Sequence, residues 1–156
     1  MYRWHFKKNI IPLAVFIAAI FLSVLLFNFG KQSPKSRKIS MNNHILTVEI
    51  ADNDNLRTKG LSGRKSLPNT AGMLFVYGKP GFYKFWMKEM NFSLDFIWIN
   101  GDKIVDLTEN IFPADKNNPI FPLFTSRSPA DKILEVNAGL IKSYGIKIGD
   151  EINYER

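Results

Sequence analysis

The chain has 156 residues, a formal charge of +7 and no cysteine, which is room for one hydrophobic core and an appendage. Seven of its 21 bases (Arg3, Lys7, Lys8, Lys31, Lys35, Arg37 and Lys38) lie in residues 1–38, which hold no acid, and the remaining 14 bases face 14 acids. The excess charge therefore belongs to the N-terminal flank, which argues against a nucleic-acid-binding stripe on the folded part. The missing cysteine excludes disulfides, thiol catalysis, cysteine-ligated zinc and a lipidated cysteine anchor.

Residues 1–9 form a short basic stub. Residues 10–29, within "NIIPLAVFIAAIFLSVLLFNFG", form an apolar run that at ~1.5 Å per residue matches a ~30 Å hydrocarbon core. The run is longer than a usual signal core and no small-x-small cleavage site follows it. It is expected to be an uncleaved transmembrane anchor, the alternative being a signal segment whose removal leaves a secreted or periplasmic domain. Basic residues flank both ends, so charge counting does not orient it; the short stub favours a C-terminal domain outside the cytoplasm. Residues 30–38, with Pro34 and three serines in the surrounding stretch, read as a polar linker, and the globular domain is expected over 39–156.

"HILTVEI" at 44–50 alternates as a strand. Asp52 and Asp54 are expected to cap a short helix around Leu56 to Leu61. "GMLFVY" (72–77) and "FYKFWM" (82–87), joined by "GKPG", predict a hairpin. "LDFIWINGDKIVDLTE" predicts a second hairpin, turning at Asn100-Gly101. Four prolines between 113 and 129 predict a long irregular loop, a binding lid or an excursion. "KILEVN" (132–137) is a strand, "AGLIKSYG" a short helix packing through Leu140, Ile141 and Tyr144, and "IKIGDEINYE" a turn into a last strand. The expected fold is mainly β (α+β): a compact antiparallel β-barrel or rolled sheet with two short helices, behind one N-terminal transmembrane helix.

Both alternating sets of residues 94–99 are apolar apart from Asp95, so this strand is expected to be buried on both faces. A carboxylate there needs a partner or a raised pKa. With Asn100 and Gly101 as loop residues, Asp95 faces Asp106 across the hairpin, and Lys88, Arg64 and Lys84 are the nearest cations in sequence. The structural reading is a salt bridge closing the sheet; the functional one is a ligand site around Asp95 and Lys88. Met87 and Met90 with Trp86 are core filler or an apolar ligand site. His5 and His44 give weak grounds for a metal centre, and Ser62 or Ser93 with a lysine weak grounds for a nucleophile. No metal or other cofactor is expected.

The ordered set Gly60, Leu61 and Arg64, "GMLF" at 72–75, "FWM" at 85–87, Leu94-Asp95, Pro113, Leu134-Glu135, Gly139 and Gly149-Asp150 resembles the domain of unknown function 192 family over residues 45–155. The resemblance implies a compact β-rich domain, common behind a signal or membrane segment and without an established activity. It places the family's marked polar residues on Arg64, Lys88, Asp95 and Glu135. It also shows two departures, Ser62 where the family usually has Met, and Glu89-Met90 where it usually has Asn-Thr.

The combined ligand-binding set is therefore Arg64, Trp86, Lys88, Asp95, Asp106 and Glu135. The leading expectation is a binding or accessory module of the cell envelope, with the membrane and an envelope protein or small ligand as partners and no nucleic acid. Two alternatives stand beside it: a hydrolase-like envelope enzyme using Asp95 with Asp106 or Lys88, and an assembly protein exposing aromatics such as Phe121 and Phe124.

Overall fold

The computed structural model describes residues 13–29, 33–115 and 122–155 and divides into two units, Met1–Ser33 and Pro34–Arg156. The first unit contains helix α1, Leu13–Phe29, with exposed Val15, Phe16, Ile20, Phe21 and Leu22. No helix among the described residues is long and apolar enough to cross a membrane; α1 has 17 residues where a bilayer core takes about 20. The expected stub at 1–9, with His5, and the first residues of the expected span lie outside the described residues, as does Phe121.

The second unit is a curled seven-stranded sheet, a half-barrel, in the order β5-β4-β6-β3-β2-β1-β7. Strands β1 (Lys35–Met41) and β2 (His44–Ala51) form a hairpin. Its two loop residues, Asn42 and Asn43, sit at φ 44° and 65°, the left-handed pair that Asn tolerates in a type I′ turn. The first strand thus starts at Lys35, inside the stretch expected as linker. The polar residues 35–38 lie on an exposed surface strand, where pairing with β2 satisfies their backbone.

Helix α2 (Asp54–Lys59) follows, capped by Asn53, whose side chain accepts from the Leu56 N–H at 3.0 Å. Neither Asp52 nor Asp54 is this cap. The helix carries the chain into a parallel pairing of β2 with β3 (Ala71–Gly81), the one parallel step in an otherwise antiparallel sheet.

The hairpin expected over 72–87 is absent. One edge of β3 is taken by β2 and the other by β6 (Ala130–Asn137). "GKPG" therefore continues β3 past an irregularity to Gly81, and Phe85 instead bridges Phe124.

Strands β4 (Leu94–Asn100) and β5 (Lys103–Ile111) do form a hairpin. Asn100 pairs with Lys103, which leaves Gly101-Asp102 as the loop, with positive φ at Gly101, the arrangement of a type II′ turn. The turn placed one residue later and an irregularity between Trp98 and Ile99 shift the register, so that Trp98, not Asp95, opposes Asp106, and a second irregularity follows between Leu94 and Phe96. After β6 come α3 (Leu140–Ser143) and β7 (Asn153–Tyr154), which pairs with β1. The intervening residues 149–152 exchange backbone hydrogen bonds with Asp102 and Ile104 near the start of β5.

Both sheet faces are buried. Ile39, Leu46, Leu74, Ile97, Leu134 and Ile152 belong to an inner cluster, closed by Leu140 and Ile141 of α3 with Tyr144 packed against them. Met73, Phe75, Phe96, Trp98 and Ile133 belong to an outer cluster, covered by Leu61, Phe85 and Met87 from the connections. Strand β4 serves both, with Leu94, Phe96 and Trp98 outward and Ile97 and Ile99 inward, as its double apolar pattern requires.

Candidate functional site

Strand β6 alternates between the two clusters, with Leu134 and Val136 inward and Ile133 outward, so Glu135 emerges on the outer face. Its register partners are Met73 on β3 and Phe96 on β4. Gly72 permits this close approach of strands: a Cβ there would lie 2.9 Å from the Glu135 carbonyl oxygen.

Over this part of the outer face lies a cleft of about 310 Å³. Glu135, Phe75 and Tyr77 line it from the sheet, Arg57 and Lys59 from α2, and Lys84 and Trp86 from the connection after β3. Glu135 is only 5 % exposed and, among the described residues, has neither a hydrogen bond nor an ion pair. Burial pushes its carboxyl up to about 8, so it is largely a neutral acid at pH 7 with an O–H to donate.

The cleft wall is built from mutually held groups. Arg57 bonds Asp54 at 2.7 Å and the Val76 carbonyl at 2.8 Å, and its guanidinium lies 5.0 Å from the Tyr77 ring centre. The Tyr77 ring stacks on Tyr83 at 3.5 Å. Burial raises the Tyr77 phenol to about 12; Arg57 opposes that rise, while Tyr83, Glu135 and Asp54 add to it. Lys59 and Lys84 are exposed and form no ion pair among the described residues, and Trp86 is half exposed.

The structure brings together Trp86 and Glu135 of the expected set and places Lys88 beside them, in an adjoining depression that shares Lys59, Ser62 and Trp86 with the cleft. The other three do structural work elsewhere. Asp95 is fully buried toward the inner cluster, where the N–H groups of Asn110 and Ile141 donate to it at 2.9 and 3.0 Å. Asp106 accepts from the Arg127 guanidinium and from the Arg127 N–H at 2.7 Å, which fastens the loop before β6 and holds its carboxyl below the usual range. Arg64 donates two hydrogen bonds to the Glu49 carboxylate, at 2.6 and 2.7 Å.

Asp95 with Asp106 or Lys88 therefore forms no common centre, which removes the hydrolase geometry. Ser62 donates to the Lys88 carbonyl, and His44 stacks on Tyr144. Phe124 is half-buried against Phe96 rather than displayed. No group of three or more His, Asp or Glu side chains among the described residues could hold a metal. Sequence reasoning missed Arg57, Tyr77 and Lys59 because they join Glu135 only through the parallel β2–β3 step. The available signal was a single acid in the otherwise apolar "ILEV" at 133–136.

A model of the DUF192 family, described as an uncharacterized ACR, matches residues 25–154. No curated protein matches the chain. The chain is similar to a solved protein from Sinorhizobium meliloti 1021, described as a candidate transcription regulator. Identity is 30 % and TM-score 0.73, covering 80 % of this chain and 98 % of that one. It is also similar to a protein of unknown function from Novosphingobium aromaticivorans DSM 12444. There identity is 27 % and TM-score 0.69, covering 76 % of this chain and 84 % of that one.

Proposed function

Because this chain belongs to the DUF192 family, described as uncharacterized, we propose that its outer-face cleft gives it its role, as a small-molecule binding module of the cell envelope. The single observation that carries this reading is Glu135, a buried acid that lines a cleft and has no protein partner among the described residues. Structural acids in this domain are satisfied, Asp95 by two backbone amides and Asp106 by Arg127. An acid left unsatisfied costs stability, and such costs are retained where a ligand supplies the missing partner.

The apolar run at 10–29 supports display of the module on a membrane, and we place the domain on the outer side as part of this proposal. The regulator description of the Sinorhizobium protein is not carried over, since bases and acids cancel from Ile39 onward.

Two experiments test the two halves. Detergent-solubilised full-length chain is screened against a small-molecule library by saturation-transfer NMR, with the expectation that hits disappear in both Glu135→Leu and Trp86→Ala. Hits indifferent to both changes would refute the cleft. For display, the absence of cysteine allows Lys103→Cys, on exposed β5, to be probed in spheroplasts with a membrane-impermeant maleimide. Labelling of unbroken spheroplasts is expected; labelling only after lysis refutes an outward-facing domain.

A further inference from the structure

Building on the cleft reading, we propose that the group recognised by Glu135 is an anion, the carboxylate of a small organic acid whose flat or ring-shaped body lies along Trp86. The charges around Glu135 can be taken element by element. Strand β3 offers Tyr77, and β4 offers only Phe96. Helix α2 offers Arg57, Lys59 and Asp54, and the connection after β3 offers Lys84. Asp54 is exposed and committed to Arg57. The two lysines have no ion pair among the described residues, so the entrance is cationic while Glu135 is neutral. An approaching ammonium is repelled there, whereas an anion is drawn in.

At the floor, a neutral carboxyl presents one O–H donor that no group among the described residues accepts. A ligand carboxylate accepting that proton makes a charge-assisted hydrogen bond and removes the cost of an unsatisfied buried group. Trp86, half exposed at the entrance, offers an apolar face for the ligand body. The cleft volume of about 310 Å³ is at the lower end of the ~300–1,000 Å³ usual for small-molecule sites, which favours a compact acid.

The complex has a built-in pH response. Once Glu135 ionises it becomes an acceptor facing an acceptor, and two negative charges repel at the floor of the cleft.

The test uses the detergent-solubilised full-length chain and three probes of one shape, benzoate, benzamide and benzylammonium, titrated calorimetrically at pH 6 and pH 9. Benzoate is expected to bind about tenfold more weakly at pH 9, the fraction of protonated acid having fallen by about that factor. In Glu135→Gln the amide still donates, so benzoate binding persists and loses its pH dependence. Lys84→Ala, an exposed change that leaves the fold alone, should weaken benzoate at both pH values. Benzylammonium binding that strengthens at pH 9 and vanishes in Glu135→Gln overturns the anion and leaves the cleft standing. Benzoate binding that ignores Lys84→Ala and the pH also overturns it. Silence from all three probes overturns the anion and the cleft reading together.

Discussion

Glu135 is a 5 % exposed residue without a protein hydrogen-bond partner among the described residues, so its carboxyl ionises by giving up much of its hydration and makes the stability of the domain depend on pH. Its folded value is raised from 4.5 to about 8, so between those values the native state holds a proton that the unfolded chain has released. Stability is fully present below about pH 4.5 and is lost as pH rises through 8, by roughly 3 to 5 kcal/mol in all. Chemical denaturation at pH 5, 7 and 9 should show this decline, and Glu135→Gln should flatten it; a parallel decline in both proteins would assign it to other groups. Asp95 behaves differently because both of its oxygens are occupied. Asp95→Asn sets an amide N–H₂ against a backbone donor and should cost about 2 to 4 kcal/mol, read as a lower denaturation midpoint, while an unchanged midpoint would contradict the two bonds. The sequence made it legible that Asp95 is buried and must be partnered. Its partners were not legible, because they are backbone amides brought in from positions 110 and 141, and a side-chain inventory cannot reveal them.

Local rules read some elements well and failed where a strand's neighbours decide the outcome. The β4–β5 hairpin, the strand at 132–137 and the helix at 140–143 follow from turn residues and alternation. The 72–87 hairpin failed although its turn residues are good, since β2 and β6 occupy both edges of β3. The register of β4 on β5 failed because the turn sits at Gly101-Asp102, one residue later than Asn100-Gly101, and because the irregularity between Trp98 and Ile99 leaves no mark in composition. The Glu89 departure from the family pattern acquires a physical meaning in the same way. Glu89 holds φ 57°, a left-handed conformation that Asn adopts at lower cost, while its carbonyl accepts from the Gly63 N–H at 2.9 Å. Glu89→Asn should therefore stabilise the domain by about 0.5 to 1 kcal/mol, measurable as a higher thermal midpoint. A lower midpoint would show that the Glu89 side chain contributes more than its backbone costs.

At the scale of the whole domain, the sheet is held in its curl from its far end. Residues 149–152 bond β5 near its start, β7 pairs with β1, and Ile152 fills the inner cluster. Deleting residues 149–156 removes all three and should replace one cooperative unfolding transition with a broad, non-cooperative one in urea, monitored by far-ultraviolet circular dichroism. Retention of a sharp transition would show that the remaining strands suffice. That the chain folds as a β-rich rolled unit was legible from its short alternating runs, whereas the strand order was not, since contacts such as Ile39 with Tyr154 join residues remote in sequence. The same strand order governs the timing of folding during synthesis. Strand β6 lies between β3 and β4 but is made after both. At about 5 to 20 residues per second, the stretch from Phe82 to Pro129 occupies roughly 2 to 10 seconds, during which β3 has an empty edge and the seven-stranded sheet is incomplete. For that interval the emerging chain remains extensible, the form in which a polypeptide can be threaded through a narrow pore.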